Sequence, residues 1–171
     1  DDNGAPHAWD EGLAFWAGSL VGEYGTGAGA LSYTLAQKRC GNFGTCGGED
    51  GDGPALVNSN LVALYQTGLD EIRAGQCAEA QALVEDAMVP QMLIPLVQGS
   101  LRYAWRADPN GGGDGKTEWA EAFAFAAALL PHLHACSADA AQTLLDNTFI
   151  GASAPVADGF EVVKAAIEEQ Y

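Results

Sequence analysis

The sequence predicts an all-α protein: a single-domain helical bundle with an approximate internal duplication. Three observations predict it. Apolar residues recur at helical spacing through long Ala- and Leu-rich stretches, and no strand-like alternation stands out. Clusters of Gly, Pro and Asp separate those stretches as turns would. The third is a repeated pattern. Trp9 to Leu20 reads W-D-E-G-L-A-F-W-A-G-S-L, and Trp119 to Leu130 reads W-A-E-A-F-A-F-A-A-A-L-L. Trp9 matches Trp119, Glu11 matches Glu121, Ala14-Phe15 match Ala124-Phe125, and Leu20 matches Leu130. The copies are expected over approximately 8–75 and 117–171.

Taken in order, residues 1–7 read as an irregular arm whose Asp1-Asp2-Asn3-Gly4 start suits a processed mature N-terminus. A first helix begins near Ala8, with Asp10 and Glu11 in its first turn, where carboxylates complement the helix dipole. Gly22, Gly25, Gly27 and Gly29 break it. A second helix is expected over Ala30 to Arg39 with Leu31, Tyr33 and Leu35 inward, then a loop from Cys40 to Pro54. The third runs from about Ala55 to Ala74, with Leu61, Leu64, Tyr65, Leu69 and Ile72 at helical spacing and Gly75 as its stop. The fourth helical region, Cys77 to Ala107, is the longest, and Pro90 and Pro95 predict a break or a kink in it. Asp108 to Gly115 reads as a turn. The fifth helix is the second copy, Thr117 to about Leu130, with Thr117 as its N-cap. A short helix over Ala138 to Asn147 and a last one over Val156 to Glu169 follow.

The charge narrows the function classes. With 23 acids against 7 bases the net charge is −16. That argues against nucleic acid and anionic membrane surfaces, and it draws cations. No stretch is long and apolar enough to span a membrane. The four cysteines allow three pairings; Cys40 and Cys46 flank a Gly-containing segment that folds back, which leaves Cys77 for Cys136. Disulfides imply an oxidising compartment, hence a secreted, periplasmic or cell-surface protein.

The candidate chemistry is metal binding. Glu11 and Glu121 hold the same place in their copies, and facing copies would bring two carboxylates together. Glu118 lies one turn before Glu121. Hard cations such as ferric iron, manganese or calcium take such oxygen ligands. The competing reading is capping acids facing water. An antiparallel return of the chain after Ala107 sets Arg102 and Tyr103 opposite the start of the fifth helix. Arg102, with Gln98 one turn away, either pairs with Glu121 or holds a small oxyanion beside a metal; Tyr103 is a phenolate ligand or a core residue. His132 and His134 diverge by about 200° if helical. Eleven residues of helix span roughly 16 Å, so these histidines cannot share an ion with Glu121, though Glu23 and Tyr24 fall opposite them under the duplication. His7, in the arm, reaches toward the Glu11 end. The loop from Asp108 to Asp114 lacks the closing Glu of a calcium loop, since Trp119 stands there, so calcium is the weaker candidate. No hydrolase, Walker or E-x-x-H signature is present, and no enzyme activity is expected.

Four segments together resemble a known family. These are W-D-E-G-L-A-F-W-A-G-S-L at 9–20, K-R-C-G-N-F-G-T-C at 38–46, P-L-V-Q-G-S-L-R-Y-A-W at 95–105 and A-E-A-F-A-F-A-A-A-L-L-P-H-L-H-A-C at 120–136. In this order they are similar to the low-iron-inducible periplasmic proteins of algae, a group that includes the iron-assimilation proteins of green algae and the phytotransferrins of marine phytoplankton. The resemblance covers roughly residues 8–150. It implies an extracytoplasmic protein of ferric iron uptake, with carbonate as a co-bound anion. The alternative is a structural, self-associating extracellular module that keeps the fold without the metal, or one that meets another cell-surface protein.

Overall fold

The computed structural model describes residues 4–113 and 115–171; the side chain of Tyr24 also lies outside the described residues. Helix takes 70% of the chain and no strand forms among the described residues, so the class is all-α. The only sheet-like pairing among the described residues is an isolated antiparallel bridge between Cys46 and Ala55. The chain divides into two compact units, Asp1–Pro95 and Leu96–Tyr171.

The first unit opens with α1, Ala5–Ala17. It starts three residues earlier than the apolar pattern suggests because Pro6 occupies the first turn, where its fixed φ suits a helix and its missing N–H costs nothing. His7 is therefore helical rather than part of an arm, and Asp10 and Glu11 sit beyond the first turn. Gly18 ends the helix at φ 74°, so Leu20 lies outside it. After a short 3₁₀ turn, Glu23–Gly25, comes α2, Ser32–Phe43. It starts later and runs further than expected and buries Thr34, Ala36, Arg39 and Cys40, leaving Leu31 exposed. Its C-cap is Gly44 in the left-handed region. Next is α3, Leu56–Arg73, with Val57, Leu61 and Tyr65 inward. The core collects Trp16, Ala36, Cys40, Leu61, Tyr65 and Met88.

The long fourth helical region is continuous. It consists of α4, Cys77–Leu83, a π-helical turn over Val84–Met88, and α5, Val89–Ala107. The prolines do not break it. Val89 N–H bonds the carbonyl of Val84, five residues back, and this widened turn comes immediately before Pro90, the residue that cannot donate. Pro95 is carried inside α5.

The second unit contains the end of α5, then α6, Lys116–Cys136, α7, Ala138–Thr148, and α8, Phe160–Glu168. The N-cap of α6 is Gly115, so Thr117 is inside the helix rather than capping it. Pro131 does not end α6, which carries His132 and His134 to Cys136. Ser137 caps α7 by accepting from Ala140 N–H at 3.2 Å. The last helix starts later than expected because Val156 adopts φ 45° and its N–H bonds the Asn147 carbonyl at 2.8 Å, turning the chain before α8. The core packs Ala104 and Ala107 of α5 with Ala122, Ala126, Leu129 and Leu133 of α6, Leu144 of α7 and Val163 and Ile167 of α8. Small residues at 104, 107, 122 and 126 leave room for α5 and α6 to approach closely.

The internal duplication is not confirmed: Ala8 and Ser19 are exposed where Glu118 and Leu129, their counterparts, are buried, and the shared features are few. Trp16 and Ala126 are buried, as is Ala122; Gly12, its counterpart, lies against the Tyr65 ring. Both first tryptophans donate to a backbone carbonyl, but on different elements. Trp9 Nε1 donates to Tyr65 O in α3 at 2.8 Å, and Trp119 Nε1 to Thr148 O of α7 at 3.0 Å. The two segments therefore do not share their packing partners.

Candidate functional site

In the first unit, α1 brings together two of the candidate ligands. His7 Nε2 lies 3.5 Å from Glu11 Oε1, four residues on, and both side chains are more than half exposed. That spacing puts both on one face of a helix. The opposite face of α1 is fixed by Trp9, which meets Tyr65 edge-to-face with centroids 5.7 Å apart, and by Trp16, whose Nε1 donates to Asn58 Oδ1 at 3.0 Å. Burial raises the pKa of the Tyr65 hydroxyl above its ordinary value.

In the second unit, α5 and α6 do pair near the start of α6, but the arginine that meets an acid is Arg106. Its Nε and Nη2 donate to Glu118 Oε1 at 3.1 and 2.6 Å. Glu118 is buried, and this ion pair is what keeps a carboxylate there. No ion pair joins Arg102 to Glu121 among the described residues. The reason is rotation about α5. Gly99, Tyr103 and Arg106 follow one another at helical spacing and face α6: Gly99 lies under the Phe125 ring, and Tyr103 stacks on Phe125 with centroids 5.4 Å apart and planes 16° apart. Gln98 and Arg102 sit one position before that face. Gln98 is buried, and Arg102 has its guanidinium carbon 6.0 Å from the Tyr103 ring centre and its Nε buried without a hydrogen-bond partner in the structure. Glu121 is half-buried on α6.

His132 and His134 are both exposed on α6. His134 borders a groove of about 510 Å³ with Leu130, Pro131, Asp139 and Gln142. The pairing of Glu23 and Tyr24 with these histidines involves a side chain outside the described residues, as does Asp114 of the Asp108 loop. Among the described residues, no three His, Cys, Asp or Glu side chains stand together as a metal-holding group.

Cys40 and Cys46 form a disulfide. Cys77 and Cys136 do not pair: both are exposed free thiols, so pairing by elimination fails. An even number of cysteines fixes no partner within the chain.

Asp108, turn material by composition, organises the end of α5. Its Oδ1 accepts from Asn110 N–H at 2.7 Å and its Oδ2 from Phe160 N–H at 2.7 Å, tying the turn to the start of α8. Asp158 Oδ2 accepts from Asn147 Nδ2 at 2.9 Å. With Trp105, Asn110 and Glu161 these acids line a cavity of about 280 Å³. Asp at the end of a long helix before Pro-Asn-Gly was the available signal for such a cap.

No family model, no curated protein and no solved structure matches this chain. No helix among the described residues is long and apolar enough to cross a membrane, and the Cys40–Cys46 disulfide is compatible with an extracellular protein.

Proposed function

We propose that the chain is an extracytoplasmic protein that binds ferric iron as its cargo, with carbonate as a co-bound anion. The reading rests on the sequence resemblance to algal iron-assimilation proteins. The structural observation in its favour is the His7–Glu11 pair, an imidazole and a carboxylate 3.5 Å apart and open to solvent on one helix face. Imidazole and carboxylate together suit iron, and an i,i+4 pair on a helix presents two donors to one ion. In this reading water or carbonate fills the remaining positions.

The test is calorimetric titration of the metal-stripped protein with ferric nitrilotriacetate, manganese and calcium, with and without bicarbonate. Iron is expected to bind and to raise the melting temperature, and Glu11→Gln or His7→Ala to remove the rise. Unchanged melting in iron for the wild-type protein ends the proposal.

A further inference from the structure

The π-helical turn of the first unit borders a groove of about 510 Å³. Asn60 and Thr67 of α3 form one wall, and Asp86, Pro90 and Gln91 form the other. The turn changes what the backbone offers there. Val89 N–H bonds the Val84 carbonyl, five residues back. The Glu85 carbonyl therefore loses its donor four residues ahead, and the next one along, Pro90, has no N–H to give. The Asp86 carbonyl loses Pro90 as its donor four ahead and competes with that of Ala87 for the N–H of Gln91. Helical carbonyls point toward the following turn, which here carries Pro90 and Gln91 at the edge of the groove. The side chains add further oxygens and few hydrogens. Thr67 Oγ1 gives its one hydrogen to the Ala63 carbonyl at 3.1 Å, so toward a ligand it can only accept. Asn60 Nδ2 spends a hydrogen on Gln91 Oε1 at 3.3 Å. Asp86 is exposed and brings a carboxylate, and no Lys, Arg or His is among the lining residues.

We propose that this groove binds the protonated amino group of a small aliphatic amine. A primary ammonium carries three hydrogens and accepts none, which matches a wall of acceptors. Its bond to the Asp86 carboxylate is charge-assisted, and the carbonyls released at the π-helical turn take its other hydrogens. Leu64 and Ala87, which also line the groove, give the methylene stem apolar surface to lie on. The same inventory disfavours two other ligands. A sugar hydroxyl both donates and accepts, and the groove has few hydrogens to offer it. Calcium takes six to eight oxygens with several carboxylates among them, and Asp86 is the one acid that lines the groove.

The experiment titrates the full, nitrogen-15-labelled chain with n-butylammonium chloride at about 0.15 M constant ionic strength, following the side-chain amide signals of Asn60 and Gln91 by NMR. Parallel titrations use tetramethylammonium chloride, which has the same charge and no N–H, and calcium chloride. Saturable shifts with a Kd of about 10 mM or tighter are expected for butylammonium alone. Asp86→Asn should weaken binding at least about fivefold by removing the counter-charge. Pro90→Ala returns an N–H to the turn, supplies the missing donor, and should weaken binding at least about threefold. Both residues are exposed, so both variants are expected to fold, which their melting curves check. The proposal is overturned if tetramethylammonium shifts the same signals as strongly, which is attraction to net charge alone, or if calcium saturates them at lower concentration. It is equally overturned if either variant binds as the wild type does, or if butylammonium produces no saturation up to about 100 mM.

Discussion

Removing Arg106 tests the account of the α5–α6 contact. The Glu118 side chain is 8% exposed and that of Arg106 30%, with Arg106 Nη2 2.6 Å from Glu118 Oε1. Arg106→Met deletes the guanidinium, keeps most of the apolar stem, and leaves a buried carboxylate without this counter-charge. Breaking a buried pair from one side costs about 3–5 kcal/mol. The partial exposure of Arg106 lets water reach the gap, so the lower end, about 3 kcal/mol, is expected. That is a large share of the roughly 5–15 kcal/mol that holds a domain folded. Glu118→Leu removes the charge together with its desolvation cost and should be milder alone. Combined with Arg106→Met it should recover at least about 1.5 kcal/mol relative to the sum of the single changes. Urea denaturation followed by circular dichroism gives all four free energies at one pH. If Arg106→Met costs under about 1 kcal/mol, or if the two changes simply add, the pair does not hold the hairpin. Arg102→Met in the same assay is a control, since Arg102 makes no ion pair to Glu121.

Three further outcomes are expected. Tyr65 has its pKa raised from 10.0 by burial, so as pH climbs the unfolded chain loses that proton first; Tyr65's contribution is complete below about pH 10 and falls away as pH passes through the raised value. Urea midpoints across that range should fall more steeply for wild type than for Tyr65→Phe, and parallel curves would show that the hydroxyl does not titrate with folding. Reducing the Cys40–Cys46 disulfide, six residues apart, should lower stability by about 2 kcal/mol through restored chain entropy, read as a drop in the melting temperature with reductant; no drop would mean that the bridge constrains nothing in the unfolded state. Asp108→Ala releases the N–H groups of Asn110 and Phe160 and should cost about 1–2 kcal/mol, with amide exchange faster at Phe160 and little changed elsewhere; protection of Phe160 equal to wild type would remove Asp108 as the cap.

The helices were legible because burial on one face imposes a spacing that survives any tertiary arrangement. Leu61 and Tyr65 in α3 are inward at the positions their spacing requires. The ends were less legible, because they depend on backbone demands carried by single residues. Pro6 starts α1, Gly115 rather than Thr117 precedes α6, and Pro131 passes through α6 without ending it. The site was harder still, and α5 shows why. Composition and the turn at Asp108 place α5 antiparallel to α6 in nearly the right register, since Arg102 with Glu121 and Arg106 with Glu118 lie at almost the same level of the hairpin. What they leave open is rotation about the helix axis. One residue of helix turns a side chain by about 100°, so the face that meets α6 contains Gly99, Tyr103 and Arg106, while Gln98 and Arg102 stand beside it. Gly99 decides that rotation, because it alone on this stretch admits the Phe125 ring. A glycine inside a helix weakens it on propensity grounds, so a glycine kept at position 99 is itself a sign of close packing, and the acid which that packing brings to Arg106 is Glu118.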